Sequence, residues 1–260
     1  MISGADNLGD RVAIVFGGRS PIAIASARCL AARQKVILVS RNIEVDLSEQ
    51  VSDLKNIEIA EVDLEDREQI RQFLKEIYLT GKSVSSIVFL QRYRTETDTS
   101  FYKHCAVELW SVQEAIEIIS AEKKKEETVQ VLIGTSPAAD KILLDQSLSY
   151  HIVKAGQETI VRYCAAMYTA ENIAVTAVRI GSIVLKRRAM PFWRKQPSVM
   201  SELTKGAPFA RVQTSEDVGE NIAEIASMDT IIFSGQTIHI EDGWELKDPA
   251  QVVRAALESS

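Results

Sequence analysis

The sequence predicts a doubly wound α/β fold: a parallel seven-stranded sheet with helices on both faces, in one domain spanning 1–260. Three observations carry this. Strand-like and helix-like runs alternate along almost the whole chain, as in a sheet wound through crossover helices. The strand-like runs are nearly continuous in Val, Ile and Leu, whereas a strand wetted on one face would alternate. With 260 residues, 46% of them hydrophobic, the chain can bury one substantial core, and no linker or repeat divides it.

The elements follow in order. RVAIVFG (11–17) reads as the first strand and 22–33 as a helix; KVILVSR (35–41) and IEIAEVDL (57–64) read as strands two and three. DREQIRQFLKEIY (66–78) has helical periodicity, SSIVFL (85–90) is the fourth strand, and AVELWSVQEAIEIIS (106–120) is again helical. EKKKEE (122–127) is a solvated loop, since a charge run buries nothing. TVQVLIGTS (128–136) is strand five, a long helix spans 147–168, and IAVTAVRIGS (173–182) is strand six. In TSEDVGENIAEIASM (214–228) Thr214 and Asp217 have capping-box spacing, and TIIFSGQTIHIEDGW (230–244) reads as strand seven.

Composition narrows the function. A net charge of −6 provides no dominant basic field for a phosphate backbone, so no nucleic-acid partner is expected. The opening MISGADNLGD lacks the basic start and apolar core of a secretory signal, and no apolar run is long enough to span a bilayer. The cysteines (Cys29, Cys105, Cys164) and histidines (His104, His151, His239) show neither disulfide nor metal-ligand spacing. A cytoplasmic, metal-free protein without membrane contact is expected.

Two motifs carry chemistry. VFGGRSPIA (15–23) leaves the first strand and enters a helix, where a dinucleotide-binding protein keeps its phosphate loop. Gly17 and Gly18 suit the turn, and Ser20-Pro21 reads as an N-cap with proline at the first helical position. Further on, Tyr150 and Lys154 share one face of the long helix, and Ser136 closes the preceding strand. A phenol beside an ammonium is a plausible acid/base pair, and the Ser136 hydroxyl could bind a carbonyl oxygen. The bare spacing is weak evidence, because Tyr78 and Lys82 repeat it at a helix end with no catalytic logic.

Taken together, these features resemble the short-chain dehydrogenase/reductase family, with its Rossmann-type fold, over roughly residues 9–246. The resemblance rests on the degenerate loop 17–23, Val62-Asp63-Leu64, Ser136 with Tyr150 and Lys154, Ile180-Gly181, and the ending SGQTIHIEDGW. It implies an oxidoreductase with Tyr150 as proton donor, Lys154 favouring the phenolate and holding the nicotinamide ribose, and Ser136 orienting the carbonyl. It also implies that Gly17, Arg19, Ser20, Ile22, Ser40, Arg41, Asp63, Leu64, Leu90 and Ile183 contact the cofactor, with Asp63 and Leu64 at the adenine and Ile183 at the carboxamide. An acid usually ends strand two when NAD is bound. Here Ser40-Arg41 stands there, with Arg19 as a second cation, so NADP(H) is favoured over NAD(H).

The sequence departs from the family pattern in three places. Phe16, Pro21 and Ala23 replace Thr, Gly and Gly; Leu90-Gln91-Arg92-Tyr93 replaces Asn-Asn-Ala-Gly after strand four; and Glu108 stands for the fourth catalytic residue, an asparagine. A carboxylate at 108 could pair with Lys154, hold a relay water differently, or mark a lost relay. The substrate-loop region, about 185–212, opens with LKRRAMPFWRK, five cations around Phe192 and Trp193. With Arg92 and Arg94 it suggests an anionic small-molecule substrate, or a carrier-protein surface of the same sign. Three functions stay open: an NADPH-dependent carbonyl reductase or its reverse, a non-catalytic dinucleotide-binding or scaffold relative, and an isomerase or dehydratase using Glu108. A homotetramer or homodimer is implied, joined through 106–120 and 147–168, where Trp110 fits a contact.

Overall fold

The computed structural model describes residues 11–43, 45–94, 100–181, 184–185, 190–195, 197–206, 211–241 and 243. Seven strands form one parallel sheet in the order β3-β2-β1-β4-β5-β6-β7: β1 Arg11–Phe16, β2 Lys35–Ser40, β3 Ile57–Glu61, β4 Ser83–Phe89, β5 Val129–Thr135, β6 Ile173–Ile180 and β7 Thr237–Ile240. Pairing of β1 with both β2 and β4 puts the reversal of strand order at β1, and the crevice beyond its carboxyl end is where such sheets bind ligands.

The central strands are buried throughout, as their unbroken aliphatic runs require, and the core forms one layer on each face. Val12, Ile14 and Phe16 point to one side, with α3 (Arg67–Leu79) and α5 (Ser111–Glu122). Ala13 and Val15 point to the other, with α1 (Pro21–Ala31) and α9 (Ser215–Ala226). The two edge strands differ: β3 and β7 are only partly covered.

Caps in the sequence set the helix starts. Asp66 accepts the Glu68 and Gln69 N–H groups ahead of α3, and Thr214 and Asp217 form the complete capping box of α9. Helices α1 and α9 touch because Gly219 lacks a side chain; a Cβ there would lie 2.5 Å from that of Ala25. Among the described residues no helix is long and apolar enough to cross a membrane.

Three expectations need correction. The stretch VDLSEQV between strands two and three forms a short helix, α2 (Val45–Val51). The final strand covers only Thr237–Ile240, because residues 232–235 turn, with Gly235 at φ 82°, before the chain pairs with β6. The helix expected at 106–120 is composite: α4 (Phe101–Cys105) runs into a π turn (Ala106–Trp110) before α5. Beyond β6, α7 (Met190–Arg194) and α8 (Pro197–Gly206) occupy part of the expected substrate loop.

Candidate active site

A cleft of about 1220 Å³ opens at the carboxyl ends of the strands, and the expected site residues that are described all line it. Ile183 lies outside the described residues. At one end, the N–H groups of Gly17 and Gly18 both reach the Val39 carbonyl of β2, at 3.1 and 2.9 Å, closing a tight turn. Gly17 has φ 95°, and a Cβ there would come within 2.7 Å of the Gln91 nitrogen, so only glycine fits. Ser20 is the N-cap of α1 with Pro21 following, but its hydroxyl makes no capping bond. The first intrahelical bond runs from Ile24 N–H to the Ser20 carbonyl, so the helix ladder leaves the Ile22 and Ala23 N–H groups available to a ligand. Proline removes one donor without disturbing the helix start. This donor set fits a dinucleotide pyrophosphate.

Along the second strand, Ser40 donates to the Asn42 carbonyl at 2.9 Å, and Arg41 faces Glu65 at 3.8 Å with its side chain 54% exposed. Glu65 spends its other oxygen on Lys103 at 3.1 Å, so the Arg41 tie is loose. Arg19 is exposed on the loop above. Asp63 accepts the Glu65 N–H at 3.0 Å, and Leu64 is buried beside it. Leu90 hydrogen-bonds through its N–H to the Phe16 carbonyl, sitting between the glycine turn and the rest of the cleft.

At the other end, Ser136 caps a short 3-10 turn (Pro137–Ala139), accepting the Ala138 N–H at 3.3 Å. Tyr150 and Lys154 stand on successive turns of α6 (Leu148–Tyr168), both buried and both facing the cleft. Lys154 donates to the Gly134 carbonyl at 3.3 Å and to Gln157 Oε1 at 2.8 Å, and its Nζ lies 5.5 Å from the centre of the Tyr150 ring. Behind them, Arg179 of β6 grips Glu158 through two bonds (2.9 and 2.7 Å) and reaches Asp140, while Thr135 donates to Glu158. That network ties the ends of β5 and β6 to α6 and fixes the Ser136 turn.

Glu108 pairs with Lys154, one of the alternatives that its position in the sequence left open. Its carboxylate is fully buried, with Oε2 3.0 Å from Lys154 Nζ and Oε1 accepting the Tyr93 N–H at 3.0 Å. His104 Nδ1 lies 3.5 Å from the same Oε1. Burial pushes this carboxyl up, but Lys154 first, then His104 and the Tyr93 N–H, outweigh it and hold it below the usual carboxylate range.

The π turn makes this arrangement possible. Ser111 N–H bonds to the Ala106 carbonyl instead of that of Val107. Val107 O is then taken by the Ser111 hydroxyl (2.7 Å) and Gln91 Nε2 (3.1 Å), and Glu108 O by Gln157 Nε2 (3.1 Å). Gln91, His104 and Gln157 were not anticipated. Spacing held a signal for two of them: His104 is four residues before Glu108, and Gln157 three after Lys154.

At the mouth, Arg92 lies over the Tyr150 ring, its Cζ 4.1 Å from the ring centre, and donates to Gln146 Oε1 at 2.6 Å. Of the LKRRAMPFWRK segment, residues 186–189 lie outside the described residues; Phe192 is exposed on α7.

The family model described as enoyl-(acyl carrier protein) reductase matches residues 17–245. The chain belongs to the short-chain dehydrogenase/reductase family, a family of NAD(P)-binding oxidoreductases, and its seven-stranded sheet is the Rossmann-type fold expected. Within that family, the enoyl-(acyl-carrier-protein) reductase (NADH) FabI of Bacillus subtilis is 27% identical over 96 residues. That match covers 36% of this chain and 36% of the relative's length. In structure, the chain is similar to ElxO with NADP bound, at TM-score 0.78 and 18% identity over 92% of this chain and 100% of that one. It is also similar to a 3-oxoacyl-(acyl-carrier protein) reductase of Brucella melitensis in complex with NAD, at TM-score 0.75 and 21% identity, covering 92% and 98%.

Proposed function

We propose that this protein is an NADPH-dependent reductase of a carbonyl substrate, or the same enzyme running as an alcohol dehydrogenase. The observation that carries this is the opening of Ser136, Tyr150 and Lys154 onto the same cleft as the Gly17 turn and the α1 N-terminus. Gly17, Ser20 and Ile22 would hold the pyrophosphate, Asp63 and Leu64 the adenine, Leu90 and Ile183 the nicotinamide side, and Lys154 the adjoining ribose. The nicotinamide, when bound, supplies hydride to the carbonyl carbon. Ser136 polarises the carbonyl oxygen and Tyr150 gives it a proton, so the carbonyl becomes an alcohol.

Arg41, loosely held by Glu65, and Arg19 favour a 2′-phosphate; no acid ends β2. Related proteins divide, since FabI is described with NADH, ElxO with NADP and the Brucella enzyme with NAD. Titration by calorimetry or tryptophan fluorescence is expected to show NADPH binding about ten- to a hundredfold tighter than NADH, the worth of one or two charged hydrogen bonds. Arg41→Ala should erase most of that difference and leave NADH unchanged. Equal binding of both would sink the assignment.

A second reading, reduction of an acyl group on a carrier, is favoured by the matching family model. In that case the cations of 185–195 would meet an acidic carrier.

A homodimer or homotetramer fits the surface. Leu148, Ile152, Tyr163 and Met167 make an exposed apolar stripe at helical spacing on α6, and Tyr102 and Trp110 stack edge to face on the neighbouring helix. Light scattering should give a multiple of 28.8 kDa; a monomer at every concentration would refute it.

A further inference from the structure

Cations in the cleft mostly face an acid. Lys154 faces Glu108 at 3.0 Å, and Arg41 faces Glu65. Arg92 is placed differently. Its guanidinium covers the ring of Tyr150 and spends Nη2 on a neutral amide oxygen, that of Gln146. Asp145 is the next acid along. Gln146 stands between them, donating its own Nε2 to Asp145 at 2.9 Å. A guanidinium has five N–H donors in a rigid fork, and stacking hides its faces while leaving its edges free to donate.

Arg92 is also held, though it is exposed. The residue before it is anchored by Gln91 Nε2 on the Val107 carbonyl, and the residue after it by Tyr93 N–H on Glu108. One carboxylate therefore pins the mouth segment and compensates Lys154. Lys154 is paired with Glu108, and the guanidinium on the Tyr150 ring brings a further positive charge into the same cleft.

We infer that Arg92 binds an anionic group of the substrate itself, and that the substrate is a short oxo acid with its carboxylate a few carbons from the reducible carbonyl. This rests on carbonyl reduction at Tyr150 as proposed above. The distances set the class. A carboxylate paired bidentately with a guanidinium has its N–O contacts at about 2.8 Å, and a carbonyl oxygen accepting from a phenol sits at about 2.7 Å. Because Arg92 lies on the ring that carries that phenol, both contacts fall within one small molecule.

The test compares NADPH-dependent reduction of 2-oxobutanoate, 3-oxobutanoate and 4-oxopentanoate with that of their methyl esters, in the wild type, Arg92→Gln and Arg92→Lys. At least one acid should exceed its ester by about tenfold or more in kcat/KM, as charged hydrogen bonds are worth. Arg92→Gln should raise KM for that acid by a similar factor and abolish the preference for the acid over its ester, and Arg92→Lys should recover only part of that preference, lacking the fork. The same acid should raise the Tm of the NADPH complex of the wild type but not of Arg92→Gln, a readout independent of turnover.

Esters reduced as well as acids, or neutral ketones reduced while every acid fails, would overturn the inference and leave carbonyl reduction standing. Reduction that survives Tyr150→Phe, or no reduction and no acid-dependent Tm shift, would overturn both.

Discussion

Replacing Glu108 by alanine is expected to cost about 3–5 kcal/mol of stability, read from the midpoint of urea unfolding, because it strands a buried ammonium without its partner. The loss has a second component, since the Tyr93 N–H also loses its acceptor. Glu108→Gln keeps an acceptor for Tyr93 but still leaves Lys154 uncompensated, so it should recover only part of the loss. Pairing Glu108→Leu with Lys154→Met removes both charges, and the double variant should be more stable than either single one. An unchanged midpoint for Glu108→Ala would show that the pair contributes nothing.

The pH dependence has a definite sign. The Glu108 carboxyl lies below its unfolded value of about 4.3, so its contribution is present above that pH and is lost as acid takes the pH down through the lower folded value. The unfolding midpoint of the wild type should fall across that acid range, and that of the neutral double variant should fall less.

Tyr150→Phe is expected to lower kcat by about a hundred- to ten-thousandfold, the usual worth of a positioned general acid. Steady-state kinetics on a reducible carbonyl would measure it. Among the described residues no hydrogen bond depends on the phenol oxygen, and the ring keeps its place under Arg92, so unfolding midpoint and NADPH affinity should stay close to wild type. Loss of turnover together with loss of binding would point instead to a collapsed cleft. Wild-type turnover would remove Tyr150 from the chemistry.

The parts of this molecule written in local sequence could be read. Continuous aliphatic runs marked the buried parallel strands, Thr214 and Asp217 marked the start of α9, and spacing and position singled out Tyr150, Lys154 and Ser136, which line one cleft. Elements decided by tertiary pairing could not. Residues 230–236 are rich in β-formers, yet only Thr237–Ile240 pairs with β6, so the rest turns. The π turn leaves no periodic trace, because one skipped bond shifts the pattern by a single residue. The pairing of Glu108 with Lys154 was among the alternatives its position allowed, but its other partners, His104 of α4 and Tyr93 after β4, are brought to it only by folding. The stacking of Arg92 on Tyr150 joins residues 58 positions apart and had no local signature.

The π turn at Ala106–Trp110 also matters for how the gene changes over time. One residue advances an α-helix by about 100°, so an insertion or deletion here turns everything upstream by that angle relative to α5. Deleting one codon between 106 and 110 would straighten the helix, free Val107 O and Glu108 O to rejoin the ladder, and leave Gln91 and Gln157 with nothing to hold. Alignments that allow no gap in this helix would pair Glu108 with the wrong residue of a relative whose helix runs straight. A single-codon length change, more than any one substitution, would dismantle the charge pair and the mouth together.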